Sequence, residues 1–175
     1  AVIMPRGEGE LTEGVDDSKK IKESERGRLA ALIRERAVAY KNCEADSETI
    51  DRINILEATK QCMKQCVEGL SVQPDVVFTD GNFKIGIRLP QQSIVKGDAL
   101  SYSIGAASIL AKAYRDGLMR ELDKKYPQYG FAKHKGYGTK QHIEAIREHG
   151  LCEIHRRTFV KKLSAGPEKS GERNT

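Results

Sequence analysis

Apolar residues that return every three or four positions mark the helices of this chain. The clearest case is the segment 48–69, where this spacing places the apolar side chains on one face of a helix. The residues that share it are Ile53, Leu56, Met63, Val67 and Leu70. Ser47, which lies just before this run, is of a residue type that caps helix N-termini. The pattern therefore predicts one continuous helix over 48–69 with Ser47 as its N-cap.

Three more segments have the same helical period. The stretch 23–35 places Leu29, Leu32 and Ile33 on one face, and a long apolar pattern begins near residue 100 and is halted by Pro127. The segment "TKQHIEAIREH" is a short helix that is closed by a glycine. A final segment, "IHRRTFVKKL", ends the folded part near residue 163.

Short apolar or β-branched runs lie between these helices and predict strands. They are "AVIMP", "AVAYKNC", "DVVFTD" and "SIVKG". Alternation of strands with helices is typical of an α/β fold in which helices cover the faces of a sheet. The sequence therefore predicts the α/β class.

The stretch "YGFAKHKGYGT", residues 129–139, has neither a helical nor a strand period. It combines aromatic rings, lysines, a histidine and glycines, and it has no apolar face to bury. We therefore expect a loop that holds or covers a ligand.

Length and composition indicate one globular domain. The chain has 175 residues, of which 31% are charged, and it contains no apolar run of the roughly 20 residues that span a bilayer. We expect a domain over residues 1–163 and a disordered polar tail over 164–175. The N-terminal residues show no secretory signal, and the four unevenly spaced cysteines favour reduced thiols in a cytoplasmic protein. We further expect a monomer without a membrane partner.

Charge is unevenly distributed along the chain. Residues 1–80 carry 12 Lys/Arg and 16 Asp/Glu, whereas residues 81–163 carry 16 Lys/Arg and 7 Asp/Glu. A basic half with a net charge of +9 suits a polyanionic partner such as a nucleic acid.

Two aspartates follow predicted strands. Asp80 lies in "FTDGN" and Asp98 in "VKGDA", and the ends of strands in α/β folds often carry functional groups. Carboxylate oxygens are suitable ligands for Mg²⁺ or Mn²⁺. Structural alternatives remain open, because Asp80 is also a common turn residue and Asp98 could cap the helix that begins at Ala99.

The motifs of this chain resemble ribonuclease HII. They are, in order, "GVDDSKKI", "RINILEATKQCMKQCVEGL", "DGN", "IVKGDALSYSIGAASILAKAYRD", "YGFAKHKGYGT" and "IHRRTF", and the resemblance extends over residues 1 to about 163. It implies a ribonuclease H-like mixed β-sheet flanked by helices, with a C-terminal helical extension. It also implies an endonuclease that cuts the RNA strand of RNA/DNA hybrids and cuts at ribonucleotides embedded in duplex DNA.

The resemblance further implies a site of four carboxylates that hold two divalent ions, Mn²⁺ or Mg²⁺. Asp80 and Asp98 match the third and fourth of these carboxylates. Tyr137 matches the tyrosine that packs on the sugar at the RNA-to-DNA junction, although a tyrosine in a loop can also be a half-buried anchor. His134 has two interpretations as well, a metal ligand or, more in keeping with Mg²⁺ chemistry, a structural or phosphate-contacting residue.

Basic residues within these motifs are candidates for phosphate contacts. They are Lys19, Lys20, Lys96, Lys133, Lys135, Arg156 and Arg157. Five of them also have a structural alternative. Lys19 and Lys20 could form a solvated charge cluster, Lys96 could be solvated, and the two arginines could attach the C-terminal segment to the domain.

The family's first motif, a strand with an adjacent Asp-Glu pair followed by Gly-Arg-Gly, is absent from this sequence. We expect that strand to lie between the strands at "AVIMP" and "DVVFTD", which predicts an incomplete sheet and only half of the carboxylates. Two alternatives therefore stay open: a non-catalytic protein that binds RNA/DNA hybrids, and another nuclease of the same fold, such as a resolvase or an exonuclease.

Overall fold

The computed structural model describes residues 1–5, 15 and 21–164, and side chains up to residue 161. Its elements, in chain order, are β1 (Val2–Ile3), α1 (Glu23–Arg36), β2 (Ala39–Tyr40), α2 (Ser47–Ile53), α3 (Ile55–Glu68), β3 (Val77–Asp80), β4 (Gln91–Ile94), α4 (Gly97–Leu100), α5 (Tyr102–Lys125), a 3₁₀ turn (Pro127–Tyr129), α6 (Phe131–His134), α7 (Lys140–His149) and α8 (Arg157–Ser164). Lys19 and Lys20, and residues 165–175 of the expected tail, lie outside the described residues.

The strands form two separate pairs in the described part of the chain. β1 and β2 are antiparallel, with Val2 opposite Tyr40, while β3 and β4 are parallel, with Asp80 opposite Ile94. The α/β class is confirmed. The strand expected between these two pairs stays a prediction.

Helix α1 packs on the long helix α5 to form the largest apolar cluster. Leu29, Ala30 and Ile33 of α1 contact buried residues of the N-terminal half of α5, among them Ile109 and Leu110. Every third or fourth residue of each helix contributes, which is the spacing that the sequence pattern predicts. In the described part of the chain, no helix is both long and apolar enough to cross a bilayer.

The continuous helix predicted over 48–69 is wrong in one respect, because the structure divides it at Asn54. That residue has φ 67° and ψ 165°, and its side-chain oxygen accepts hydrogen bonds from the backbone N–H groups of Leu56 and Glu57. Asn54 is thus the N-cap of α3. The N-cap of α2 is Asp46, which accepts from the N–H of Thr49, so the prediction for Ser47 is also wrong by one residue.

Two predictions near the candidate site also need correction. Asp98 does not end a strand, because β4 stops at Ile94 and Asp98 lies in the first turn of α4. Residues 129–139 are not entirely loop, since they include the helical turn α6 and bury Tyr129 and Phe131. These rings pack beside Ala145 of α7, a contact that no local pattern in 129–139 reveals.

Candidate active site

The parallel pair of β3 and β4 brings Asp80 to the turn that precedes Asp98. Asp80 is the last residue of β3, and its Oδ1 accepts a hydrogen bond of 2.8 Å from the backbone N–H of Gly97. The strand pair extends one bond further, because the N–H of Gly81 donates to the carbonyl of Ile94 at 3.0 Å. The Asp80 carboxylate is therefore fixed directly beside the backbone of α4.

Gly97 permits the close approach of this turn to α5. A Cβ atom at Gly97 would lie 2.6 Å from Cδ1 of Ile104, a distance that real Cβ atoms essentially never show. The turn therefore packs against the first part of α5, and Asp98 becomes 94% buried, with 6% of its surface exposed. A side chain at position 97 would therefore require Ile104 or the turn itself to shift.

Lys96 precedes this turn in a strained backbone conformation. Its φ of 57° and ψ of 36° place it in the left-handed region, which residues other than glycine seldom occupy. The residue is exposed. Backbone strain of this kind persists where the surrounding structure fixes it, and it is common at functional sites.

Asp80, Lys96 and Asp98 thus lie at one edge of the β3–β4 pair. Two carboxylates supply the hard oxygen ligands that Mg²⁺ and Mn²⁺ prefer. Among the residues with described positions, no group of three or more His, Cys, Asp or Glu side chains is arranged to hold a metal ion. The carboxylates at this edge are those of Asp80 and Asp98.

The loop that carries Tyr137 turns sharply through two left-handed residues. Lys135 has φ 52° and Gly136 has φ 80°, and Tyr137 follows with 60% of its surface exposed. The start of the loop is attached to α5, since Asp123 Oδ1 accepts from the N–H of Ala132 at 3.1 Å. A fixed backbone therefore presents an exposed aromatic ring.

Arg115 of α5 supports this turn from the helix side. Its Nη2 donates to the carbonyl of Lys135 at 2.6 Å, and its guanidinium carbon lies 5.7 Å from the centre of the Tyr137 ring. The hydrogen bond holds the backbone of the turn, and the cation–π contact orients the ring. Sequence reasoning missed Arg115, because it lies 22 residues before Tyr137 and only the fold brings the two together.

The two lysines of this loop differ in their surroundings. Lys133 is exposed, whereas Lys135 is buried and its Nζ lies 3.1 Å from Glu23 Oε1. The Lys135 ammonium is therefore paired within the protein. His134 is also buried, with Nε2 2.7 Å from the carbonyl of Tyr129, which fits the structural alternative for this residue.

The two arginines of "IHRRTF" lie at the start of α8, where Asp51 of α2 holds the backbone. The N–H of Arg157 donates to Asp51 Oδ2 at 2.6 Å, and the Thr158 hydroxyl also donates to this carboxylate. The hydrogen bonds from Thr158 and Arg157 lower the pKa of Asp51. The Arg156 guanidinium lies over the Phe159 ring at 5.2 Å, so both arginines occupy a segment attached to the rest of the domain.

The four cysteines are free thiols in the described chain, as expected. Burial raises the pKa of Cys43, Cys62 and Cys152 above the usual thiol value. These thiols are therefore protonated at neutral pH and poorly nucleophilic.

Comparison of the sequence with known families gives a match along almost the whole chain. The family model described as Ribonuclease HII matches residues 1–162. The Ribonuclease HII of Acetivibrio thermocellus is 51% identical over 163 residues, which are 93% of this chain and 63% of that protein. The Ribonuclease HII of Pelodictyon phaeoclathratiforme is 49% identical over 172 residues, which are 95% of this chain and 84% of that protein.

Some relatives are considerably longer than this chain. The chain spans 56% of the length of the Desulfitobacterium hafniense relative, to which it is 53% identical over 147 residues. This chain therefore spans less than two thirds of the length of several curated relatives.

Solved structures show the same fold at lower sequence identity. Ribonuclease H2 from Pyrococcus horikoshii superposes with a TM-score of 0.72 at 21% identity, with 87% of this chain and 81% of that chain covered. RNase HII from Archaeoglobus fulgidus, solved in complex with PCNA, gives a TM-score of 0.70 at 23% identity and covers 90% and 82% of the two chains. The ribonuclease H-like architecture expected from the sequence motifs is confirmed.

Proposed function

Since this chain belongs to the ribonuclease HII family, we propose that it is the catalytic part of an endonuclease that cuts RNA in RNA/DNA hybrids and at ribonucleotides embedded in duplex DNA. The observation that carries the proposal is the hydrogen bond from the Gly97 N–H to Asp80, which holds this carboxylate at the turn that precedes Asp98. An exposed Tyr137 on a fixed loop supplies a second element that fits a sugar.

Asp80 and Asp98 are the residues that would hold a divalent ion, Mg²⁺ or Mn²⁺. Both offer oxygen ligands, and the bond from Gly97 uses only one of the two Asp80 oxygens. A divalent ion bound there supplies positive charge beside the scissile phosphate and the attacking water. The family acts with divalent ions, and a structural neighbour of the same fold, Bst-RNase HIII, has been solved with Mn²⁺.

Tyr137 is proposed to contact the sugar at the junction between RNA and DNA. Its ring is exposed and flanked by glycines, so it can approach a ribose closely, and its hydroxyl can bond the 2′-hydroxyl that distinguishes RNA from DNA. Arg115 limits the movement of the ring. The alternative of a half-buried anchor fits less well, because 60% of Tyr137 is exposed.

Basic residues around these groups are proposed to bind the phosphate backbone. Lys96 and Lys133 support this directly, since both are exposed. Lys135 contributes through the backbone of the loop as much as through its charge, because its ammonium is paired with Glu23. Lys19, Lys20, Arg156 and Arg157 complete the proposed set of phosphate contacts.

The decisive experiment uses the protein expressed from its complete reading frame. The substrate is a DNA duplex with a single ribonucleotide, incubated with Mg²⁺ or Mn²⁺, and an all-DNA duplex of the same sequence is the control. We expect cleavage at the ribonucleotide alone. Binding without cleavage by folded protein would instead support a non-catalytic hybrid-binding protein, and equal cleavage of both duplexes would indicate another nuclease of this fold.

A further inference from the structure

Three of the four histidines of this chain are buried together beneath the Tyr137 loop. His134, His142 and His155 lie in a cluster with Tyr129 and Phe131. The rings of His134 and His142 stack with their centres 4.2 Å apart and an angle of 17° between them. Buried imidazoles that are not in contact with a proposed catalytic carboxylate require another explanation.

The contacts of His155 determine which of its nitrogens carries the proton. The backbone N–H of Cys152 donates to His155 Nδ1 at 3.0 Å, and the Cys152 sulfur lies at the same distance from that nitrogen. An N–H donor requires an acceptor, so Nδ1 is unprotonated. The proton of neutral His155 is therefore on Nε2.

The same reasoning extends to His142. His155 Nε2 lies 3.1 Å from His142 Nε2, so the His155 N–H must donate and His142 Nε2 must accept. The proton of His142 is then on Nδ1, which lies 3.0 Å from the carbonyl oxygen of Tyr137. A continuous chain of hydrogen bonds thus runs from the Cys152 backbone through two imidazoles to the backbone of Tyr137.

His134 supports the same loop one residue earlier. Its Nδ1 accepts from the N–H of Gly136 at 3.2 Å, and its Nε2–H donates to the carbonyl of Tyr129. The carbonyl of His134 accepts from the N–H of Tyr137 at 2.9 Å. Both backbone groups of Tyr137 are therefore bonded to this cluster.

We propose that His142, with its proton placed by His155, is a positioning residue that fixes the backbone of Tyr137 and so aims the Tyr137 ring at the ribonucleotide. This inference deepens the proposed function and rests on it. Thr139 also donates to the Tyr137 carbonyl, at 2.8 Å, but it belongs to the loop itself. His142 is the contact that connects this carbonyl to helix α7.

The chain of hydrogen bonds requires both rings to be neutral. If His142 took up a second proton, its Nε2–H would face the Nε2–H of His155 and the bond between them would be lost. Burial lowers the pKa of both His142 and His155, in agreement with the neutral forms. The cluster is therefore arranged as a set of fixed donors and acceptors.

Two substitutions of His142 separate the role of its Nδ1–H from simple packing. In His142→Asn the side-chain amide can place an N–H near the position of Nδ1, whereas His142→Leu fills the space without a donor. We expect His142→Leu to lower single-turnover cleavage at a ribonucleotide about ten- to a hundredfold, because small misplacements near a reacting group are this costly. His142→Asn should restore most of the rate, and affinity for an all-DNA duplex should stay within about twofold in both.

His149 supplies the matched control. It lies on the same helix, its Nε2 is 3.8 Å from Glu148 Oε2, and its ring meets the edge of Tyr129 and not the Tyr137 backbone. His149→Leu should leave cleavage unchanged. Equal losses in His142→Leu, His142→Asn and His149→Leu would overturn the proposal, since no specific donor would then be needed.

A measurement that does not depend on cleavage separates this inference from the proposed function. The ¹⁵N spectrum of the imidazoles should show the Nδ1–H tautomer for His142 and the Nε2–H tautomer for His155. The sequence contains no tryptophan. In the variant Tyr137→Trp the only tryptophan is therefore in the loop, and its fluorescence reports on how ordered the loop is. Its emission anisotropy should fall when His142→Leu is added and not when His142→Asn is added.

The opposite tautomers, or an anisotropy that is insensitive to both substitutions, would overturn the positioning role. A protein that cuts no ribonucleotide but shows the expected tautomers would overturn the proposed function and leave the loop support intact. The two failures are thereby distinguishable.

Discussion

Asp80 has two separable properties, its charge and its hydrogen bond to Gly97. Asp80→Asn removes the charge and keeps an oxygen that can accept from Gly97. Because ion binding contributes several kcal/mol to such a reaction, we expect cleavage to fall about a thousandfold or more, in this variant and in Asp98→Asn, while hybrid binding largely survives.

The control for these variants is Asp75→Asn, at an exposed carboxylate shortly before β3. It should retain activity. Asp80→Leu should also lose about 1–3 kcal/mol of stability in urea unfolding, because the Gly97 N–H is left without its acceptor. Full activity in both Asp80→Asn and Asp98→Asn would rule out this edge as the ion site.

Tyr137 allows a test in which folding is unaffected. Because most of the side chain is exposed, Tyr137→Ala should change stability by no more than about 0.5 kcal/mol. Cleavage at a single ribonucleotide should fall about ten- to a hundredfold, with affinity for all-DNA duplex nearly unchanged. Tyr137→Phe keeps the ring over Arg115 and so separates the contribution of the ring from that of the hydroxyl. If Tyr137→Ala lowered the cleavage rate and the affinity for all-DNA duplex equally, Tyr137 would have a structural role instead.

At the scale of elements, a buried ion pair attaches α1 to α5. Arg26 donates through Nε and Nη2 to Asp116 Oδ2, at 3.2 and 3.0 Å, and Lys112 donates to Asp116 Oδ1 at 2.9 Å. Burial alone would raise the pKa of Asp116, but the hydrogen bonds from Lys112 and Arg26 outweigh it and lower the pKa. The carboxylate is therefore charged and fully compensated.

Removal of one partner should be more damaging than removal of both. Asp116→Leu leaves the buried Arg26 without its carboxylate and should lower the free energy of unfolding by about 3–5 kcal/mol, as measured in urea. The double variant Arg26→Leu with Asp116→Leu should recover much of this loss. Additive effects of the two substitutions would mean that the pair does not couple the helices.

The break between α2 and α3 gives a second prediction for an element. Asn54 has a backbone conformation that is almost restricted to glycine, yet its side chain caps α3. Asn54→Ala keeps the strain and loses the cap, so it should cost about 1–2 kcal/mol, whereas Asn54→Gly relieves the strain and should cost less. Thermal unfolding of the two variants measures the difference, and a greater loss for glycine would contradict it.

The helices were more predictable than their ends and their partners. The apolar periods of α1, α5 and α7 are complete within each segment, so the sequence alone locates them. Asn54 interrupts an unbroken helical period by its own φ angle, and no glycine or proline announces the break. Likewise, residues 129–139 lack a period because their buried face is defined by α7 and not by their own spacing.

The residues of the candidate site likewise fall into two groups, those that the sequence motifs locate and those that only the fold reveals. Asp80, Asp98 and Tyr137 could be located because each lies in a motif that resembles the family. Arg115 and His142 act through contacts that only the fold creates, so the structure reveals them and the sequence does not.

For the whole molecule, the buried histidines predict a pH dependence of stability. Burial lowers the pKa values of His142 and His155, and the neighbouring His134 lowers both further. The backbone N–H of Cys152 donates to His155 Nδ1 in the folded protein. The unfolded chain binds more protons than the folded one below the usual pKa of about 6.5, so this contribution is complete above that pH and is lost as the pH falls.

Urea unfolding between about pH 5 and 8 should therefore show stability that declines below about pH 6.5. His142→Asn should make the decline shallower. The acidic groups with lowered pKa values, such as Asp116, contribute at lower pH and do not obscure this range. A profile that is flat between pH 5 and 7 would contradict the neutral, buried state of these rings.

Helix α5 contacts both halves of the candidate site, and this has a consequence for how the protein can change during evolution. Ile104 packs against the Gly97 turn and Arg115 against Tyr137, and the eleven helical steps from Ile104 to Arg115 rise about 16 Å. Substitutions along this span preserve the spacing, but a single inserted residue would rotate everything beyond it by about 100°. The length of α5 is thus under a stricter constraint than its composition, because the helix sets the distance and the rotation between the Gly97 turn and the Tyr137 ring.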